Sequence, residues 1–307
     1  MYIAHLELRK DSVFINKLKL LPILKCSVGD SYPSYRSCVR KCYTVNCKND
    51  ESTFYLPSSN QNFLIKLLWS CHDNCEYECM WPMVRTCLKN NWNVPQFNGK
   101  WPFMRWLGMQ EPASAIFSLF NLVSSISMYR QFYKAVRNIS SMYWIWTMHV
   151  VVSINTWFWS IIFHVRDIPF TERMDYISAS SFIYYTFYAF GYRILLFQNL
   201  FTKILFICGC LFFFVQHIMY LIMKPFDYHY NLDNLLLIGI TTGIGTLFWC
   251  IYNWKNIHHV KYAAMYVTLT MLVALFEIFD FAPILWTFDA HSLWHLMTIP
   301  LPYFLYK

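Results

Sequence analysis

Seven apolar stretches, each close to the ~20 residues an α-helix needs to cross a bilayer, constrain this chain more than any other feature. They run over residues 112–129, 142–163, 175–192, 204–223, 235–252, 262–279 and 283–306. Inside a bilayer every backbone amide must find its partner within the protein, so these stretches predict helices and leave no room for open strands. The loops between them are short and polar. Only 14% of the 307 residues are charged, against about 25% in a soluble domain. So few charges cannot coat a water-exposed surface of this size, which excludes an ordinary soluble enzyme and a disordered chain. The expected fold is all-α, with a seven-helix transmembrane bundle over residues 112–307. Pro300 and Pro302 should kink the last helix, the freed carbonyls finding donors on neighbouring helices.

The sequence ahead of the bundle is of another kind. Eight of the 11 cysteines fall between Cys26 and Cys87, and the other three sit in apolar stretches. Cys38-x3-Cys42-x4-Cys47 and Cys71-x3-Cys75-x3-Cys79 lack the Cys-x2-Cys spacing of common zinc modules. Disulfides are therefore expected among these six, with the pairing left open. They would staple a small N-terminal lumenal domain over residues 26–111, too small to hold together by its own core. Residues 1–25 read as a poorly formed signal segment, because Lys17 and Lys19 interrupt the apolar run 13–24. The formal net charge is +8. No basic run interleaves with a soluble aromatic surface, so nucleic acid is not an expected partner.

Positive charge sets the orientation. Arg130, Lys134, Arg137, Arg193, Lys203, Lys255, Lys261 and Lys307 follow the odd-numbered stretches, whereas only Arg166, Arg173 and Lys224 follow the even-numbered ones. The first group belongs in the cytosol. The N-terminal domain then lies in a lumen, where its cysteines can oxidise.

Polar groups within the stretches are costly and mark candidate function. Ser160 and His164 end the second stretch four residues apart, Asp175 opens the third, and Asp289, His291 and His295 lie in the seventh. Residues four apart share a helix face, and the assigned orientation puts all three sets at the lumenal side. Three imidazoles suit a Zn2+ site with an open position. Zinc there would activate water and polarise a carbonyl. Asp175 is placed to carry a proton, Ser160 to bond the water or an oxyanion, and Asp289 to orient a histidine from behind. Each has a plainer reading: His-x3-His as helix packing, Ser160 as a small interface residue. Their convergence at one depth favours the metal. His149 and His217 have no partner at ligand spacing and read as structural. Glu277 and Asp280 either touch the site or reach the headgroups.

Longer motifs then resemble the post-GPI-attachment-to-proteins factor 3 family. They are Val94-Pro-Gln-Phe-Asn-Gly-Lys-Trp-Pro-Phe103, Gln110-Glu-Pro-Ala-Ser114, Cys71-His-Asp-Asn-Cys75-Glu-Tyr-Glu-Cys79-Met-Trp81, Asn155-Thr-Trp-Phe-Trp-Ser160, Phe163-His164-Val-Arg166-Asp167, Met174-Asp175-Tyr176 and Asp289-Ala-His291-Ser-Leu-Trp-His295. That family is similar to alkaline ceramidases and adiponectin/progestin receptors. The resemblance implies zinc held by His164, His291 and His295, beside Ser160 and Asp175. It also implies a phospholipase A2 type of activity, removal of the sn-2 acyl chain from the lipid of GPI-anchored proteins, in the Golgi membrane or alternatively the endoplasmic reticulum. A ceramidase-like amidase and a non-catalytic lipid receptor or GPI-protein transport chaperone are the alternatives. A Ser160–His164–Asp175 lipase triad is disfavoured, because the chain holds no Gly-x-Ser-x-Gly elbow.

Overall fold

The computed structural model describes residues 27–47, 68–136, 140–279 and 281–306. The candidate signal segment 1–25, Cys26, Asn138 and Asp280 lie outside the described residues. Among the described residues, regular structure is all helical, with isolated bridges at tight turns.

The front of the chain folds as α1 (Val28–Ser31), α2 (Pro33–Asn46) and α3 (Cys71–Lys89). Pro33 opens α2 at its first turn, where a missing N–H costs nothing. Ser70 and Asp73 cap α3 reciprocally: Ser70 Oγ accepts from Asp73 N at 3.1 Å and Asp73 Oδ2 from Ser70 N at 3.0 Å. Cys71, Cys75 and Cys79 recur every fourth residue and so line one face of α3. They pair in antiparallel order as Cys38–Cys79, Cys42–Cys75 and Cys47–Cys71. All six predicted cysteines are thus oxidised. Cys87 stays reduced and buried, packed with Tyr35, Met80, Met83, Val84 and Phe97 in a small core.

The body comprises α4 (Pro112–Val136), α5 (Tyr143–Val165), α6 (Pro169–Ile194), α7 (Leu200–Met223), α8 (Tyr228–Asn253), α9 (Val260–Val273), α10 (Leu275–Ile278), α11 (Ala290–Thr298) and α12 (Leu301–Leu305). Helix α5 packs between α4 and α6, α6 also meets α7 and α8, and α9 meets α8 and α12. Among the described residues, four runs are long and apolar enough to cross a membrane: Tyr143–Val165, Leu200–Met223, Tyr228–Asn253 and Val260–Ile278. Helices α4 and α6 are equally long and also bury polar side chains. In α4 these are Ser114, Ser118, Asn121 and Ser125, and in α6 Thr171, Ser178 and Ser180.

The last stretch departs from the expected kinked helix. Residues 283–289 form a turn, with Leu285 and Trp286 at φ 54° and 56°, and the helical part divides into α11 and α12 around Pro300. Neighbours satisfy the carbonyls freed at the break. Asn121 Nδ2 donates to His295 O at 2.7 Å and Ser124 Oγ to Ile299 O at 2.7 Å. The third helix likewise starts earlier than its apolar run, at Pro169, where Ile168 N donates to Thr171 Oγ1 at 3.0 Å.

Candidate metal centre

The end of α5, the start of α6 and the whole of α11 meet at one end of the bundle, beneath the disulfide-bonded front. His164, His291 and His295 turn their Nε2 atoms toward a common point. The Nε2 pairs are 3.2 Å apart for His164–His295, 3.3 Å for His291–His164 and 2.9 Å for His295–His291. The three form a group able to hold a metal ion.

Each Nδ1 faces an acceptor. His164 Nδ1 donates to Glu111 Oε2 at 2.7 Å, and His291 Nδ1 to Glu277 Oε2 at 2.7 Å. His295 Nδ1 lies 3.5 Å from Ser118 Oγ. Ser118 spends its one proton on Ser114 O at 2.7 Å, so it can only accept from the ring. A neutral imidazole that donates through Nδ1 presents a lone pair at Nε2. Three such lone pairs within 3.3 Å repel one another. A cation among them removes the conflict, so this donor set fits a metal.

The surroundings fix the open side. His164 and His295 are 1% exposed, whereas the His291 side chain is 34% exposed and its partner Glu277 23%. Asp175, on the first turns of α6, interacts electrostatically with His291, Glu111, Lys100 and Glu277. Ser160 lies on the closed side, its Oγ 2.9 Å from Ser118 Oγ. Since the Ser118 proton is taken, Ser160 donates to it. Ser160 thus contacts Ser118, the residue behind His295. Asp289 caps α11, accepting from Ser292 N at 2.9 Å, and Glu277 makes the direct contact with His291 Nδ1. Glu277, read as ambiguous from sequence, belongs to the site.

Glu111 and Ser118 escaped the sequence reading. The available signal for Glu111 was an acidic residue at the predicted depth of His164, just before a helix starting at Pro112. Its backbone is also locked there, Glu111 N donating to His164 O at 2.9 Å and Gln110 N to Val165 O at 3.0 Å. Burial opposes charge on Glu111, but Lys100 and then His164 outweigh it and hold the carboxyl well below the usual range. The two remaining buried histidines are structural, as expected. His149 bonds Tyr306 Oη at 2.9 Å and Thr186 Oγ1 at 3.0 Å, and His217 bonds Ser180 Oγ at 3.2 Å.

A sequence profile of the Per1-like family matches residues 63–307. The chain is 39% identical over 275 residues to the human protein named GPI-specific phospholipase A2-like PGAP3, covering 89% of this chain and 85% of that one. The Xenopus laevis protein of the same name is 39% identical over 298 residues, covering 94% and 91%. The Drosophila melanogaster protein named post-GPI attachment to proteins factor 3 is 36% identical over 287 residues, covering 92% and 87%. No solved structure matches the chain. With four-fifths of its length inside the family profile and these relatives covered almost end to end, this chain belongs to the Per1-like family.

Proposed function

We propose that this protein remodels GPI anchors as a zinc-dependent acyl hydrolase, removing the sn-2 fatty acid from the lipid of GPI-anchored proteins. The convergence of three Nε2 atoms whose rings are each fixed through Nδ1 carries the reading. Nitrogens about 2.0–2.1 Å from a tetrahedral zinc lie about 3.3 Å apart, and the observed separations of 2.9–3.3 Å approach that. The substrate class comes from the names of the relatives, which refer to GPI and to a phospholipase A2-like activity.

Bound at this site, zinc supplies Lewis-acid polarisation of the ester carbonyl and acidifies water. His164, His291 and His295 hold it. Glu111 and Glu277 keep two of the rings in the required tautomer and direction. Asp175, which interacts with His291, takes the proton as a water oxygen bonds to the acyl carbon. The bond from that carbon to the sn-2 oxygen then breaks, and Asp175 returns the proton to the leaving alkoxide. A free fatty acid and a lyso-GPI lipid result. Ser160 serves by holding Ser118 beneath His295.

The reaction would take place at the lumenal surface of a Golgi membrane. Three disulfides suit an oxidising lumen. They lie at the same end of the bundle as the histidines, tied there by the Arg166–Asp73 ion pair of 2.5 Å. Purified protein should contain about one zinc, and His291→Ala should contain none. In cells lacking the protein, wild type but not His291→Ala should restore GPI anchors that have lost the sn-2 chain, read by mass spectrometry. Metal-free wild type, or rescue by a His291→Ala/His295→Ala variant, refutes the hydrolase and favours a transport chaperone.

A further inference from the structure

Lys100 lies outside the apolar body, on the segment joining α3 to α4. Its Nζ pairs with Glu111 and, at 2.9 Å, with Asp167 Oδ2. It also sits 4.5 Å over the Phe163 ring. Glu111 is the residue whose other oxygen accepts from His164 Nδ1. Phe163 and Asp167 flank His164 in the chain. One ammonium group therefore touches the carboxylate that holds His164 and two residues close to His164 in the chain.

Lys100 is itself held from the opposite side. Phe97 and Lys100 exchange backbone bonds at 2.7 and 2.9 Å around Asn98 and Gly99, which adopt φ of 50° and 78°. Asn98 N donates to Asp30 Oδ1 at 2.9 Å and Gly99 N to Ser27 Oγ at 2.6 Å. Gly29 N donates to Gln96 O at 3.0 Å. The turn that presents Lys100 is thus pinned to α1, and the Phe97 and Tyr35 rings pack 4.9 Å apart in the core of the disulfide-bonded helices. An unbroken run of contacts leads from that domain to the Nδ1 of a metal-site histidine.

We propose that Lys100 is a positioning residue, through which the disulfide-bonded domain sets the direction of His164 and thereby the retention of metal. The inference rests on the metal centre proposed above. Glu111 has two oxygens and a side chain only 8% exposed. Without Lys100 its outer oxygen loses its charged partner. The carboxylate then gains by turning toward other donors, which releases His164. Losing such outer partners typically costs 10–100-fold in metal affinity. A lysine that merely fastened the domain would leave the metal untouched as long as the domain stayed folded.

The test uses the full chain in detergent, loaded with zinc, and follows loss of metal to a chelator. Lys100→Met and Lys100→Gln should release zinc about ten-fold faster than wild type, and Lys100→Arg should recover most of the difference. Glu111→Gln should release it at least as fast. Adding Lys100→Met to Glu111→Gln should bring no further loss, since both act along one path. Resistance of the six paired cysteines to alkylation tracks folding in each variant. Wild type without metal would refute the metal centre itself. Wild type that holds zinc refutes the Lys100 assignment alone under any of three results: both uncharged variants releasing it within about twofold of wild type, additive effects in the double variant, or faster release only in protein whose cysteines have become reactive.

Discussion

His295 shows how a single ring is set by what surrounds it. Ser118 faces its Nδ1, Asn121 fastens its carbonyl, and the rings of Trp157 and Trp294 pack at 5.5 and 4.8 Å. The histidines were legible because a spacing of four puts two side chains on one helix face and ionisable groups are rare in lipid. Glu111 and Ser118 were not, because each meets its partner across 53 and 177 residues of chain. The different positions of Asp175 and Ser160 predict different losses. Asp175→Asn should keep its zinc and lose about 10²–10⁴-fold in turnover, the range of a positioned acid–base group. Ser160→Ala should keep zinc and lose less, and Ser118→Ala should match it, since the two hydroxyls act in series. Metal analysis beside lipid turnover separates these cases. Loss of zinc from Asp175→Asn would place that residue among the ligands instead.

Among the elements, α2 and α3 depend on their cross-links. Their shared core is small, and every fourth residue of α3 from Cys71 to Cys79 goes to a disulfide. Loops of 24 to 41 residues are closed by these bonds. Replacing both Cys42 and Cys75 with Ala should cost about 2–5 kcal/mol, read as retention and degradation of the variant in cells. In native wild type the six cysteines should resist alkylation until reductant is added; rapid labelling without it would contradict the pairing. The six-cysteine pattern announced cross-links but left 15 pairings open, and only the antiparallel packing of two helices selects one. The seventh apolar stretch shows the converse. Its hydropathy suggests one helix, yet α11 has 9 residues and a turn precedes it. The break persists because Asn121 and Ser124 of α4 supply the donors that a continuous helix would have supplied itself.

At the scale of the whole molecule, the disulfides and the histidine site share one end of the bundle, and the last turn of α4 and the first turn of α5, which the α4–α5 loop joins, lie at the other, a full helix away. The sequon Asn138-Ile-Ser140 lies in that loop and is the only one in the chain. With the histidine site in the lumen, as proposed above, Asn138 should carry no glycan, whereas an acceptor sequon introduced before Cys38 should be glycosylated. Glycosidase-sensitive mobility of the two proteins checks both, and a glycan on Asn138 would invert the orientation. The sequence by itself determined the all-α class, the division into a cysteine-rich front and an apolar body, and that His291 and His295 share a helix face. Those properties follow from composition and local periodicity: burying ~20 apolar residues demands a helix, and a spacing of four demands a shared face. Only the tertiary structure decided that Glu111, Glu277 and Ser118 hold the rings, that Ser160 lies behind His295, that Asp289 caps a helix, and that Lys100 links the front to the site. These are pairings between distant segments. A polar side chain buried beside an apolar bundle must find a partner, but its own sequence neighbourhood does not say which of several it meets.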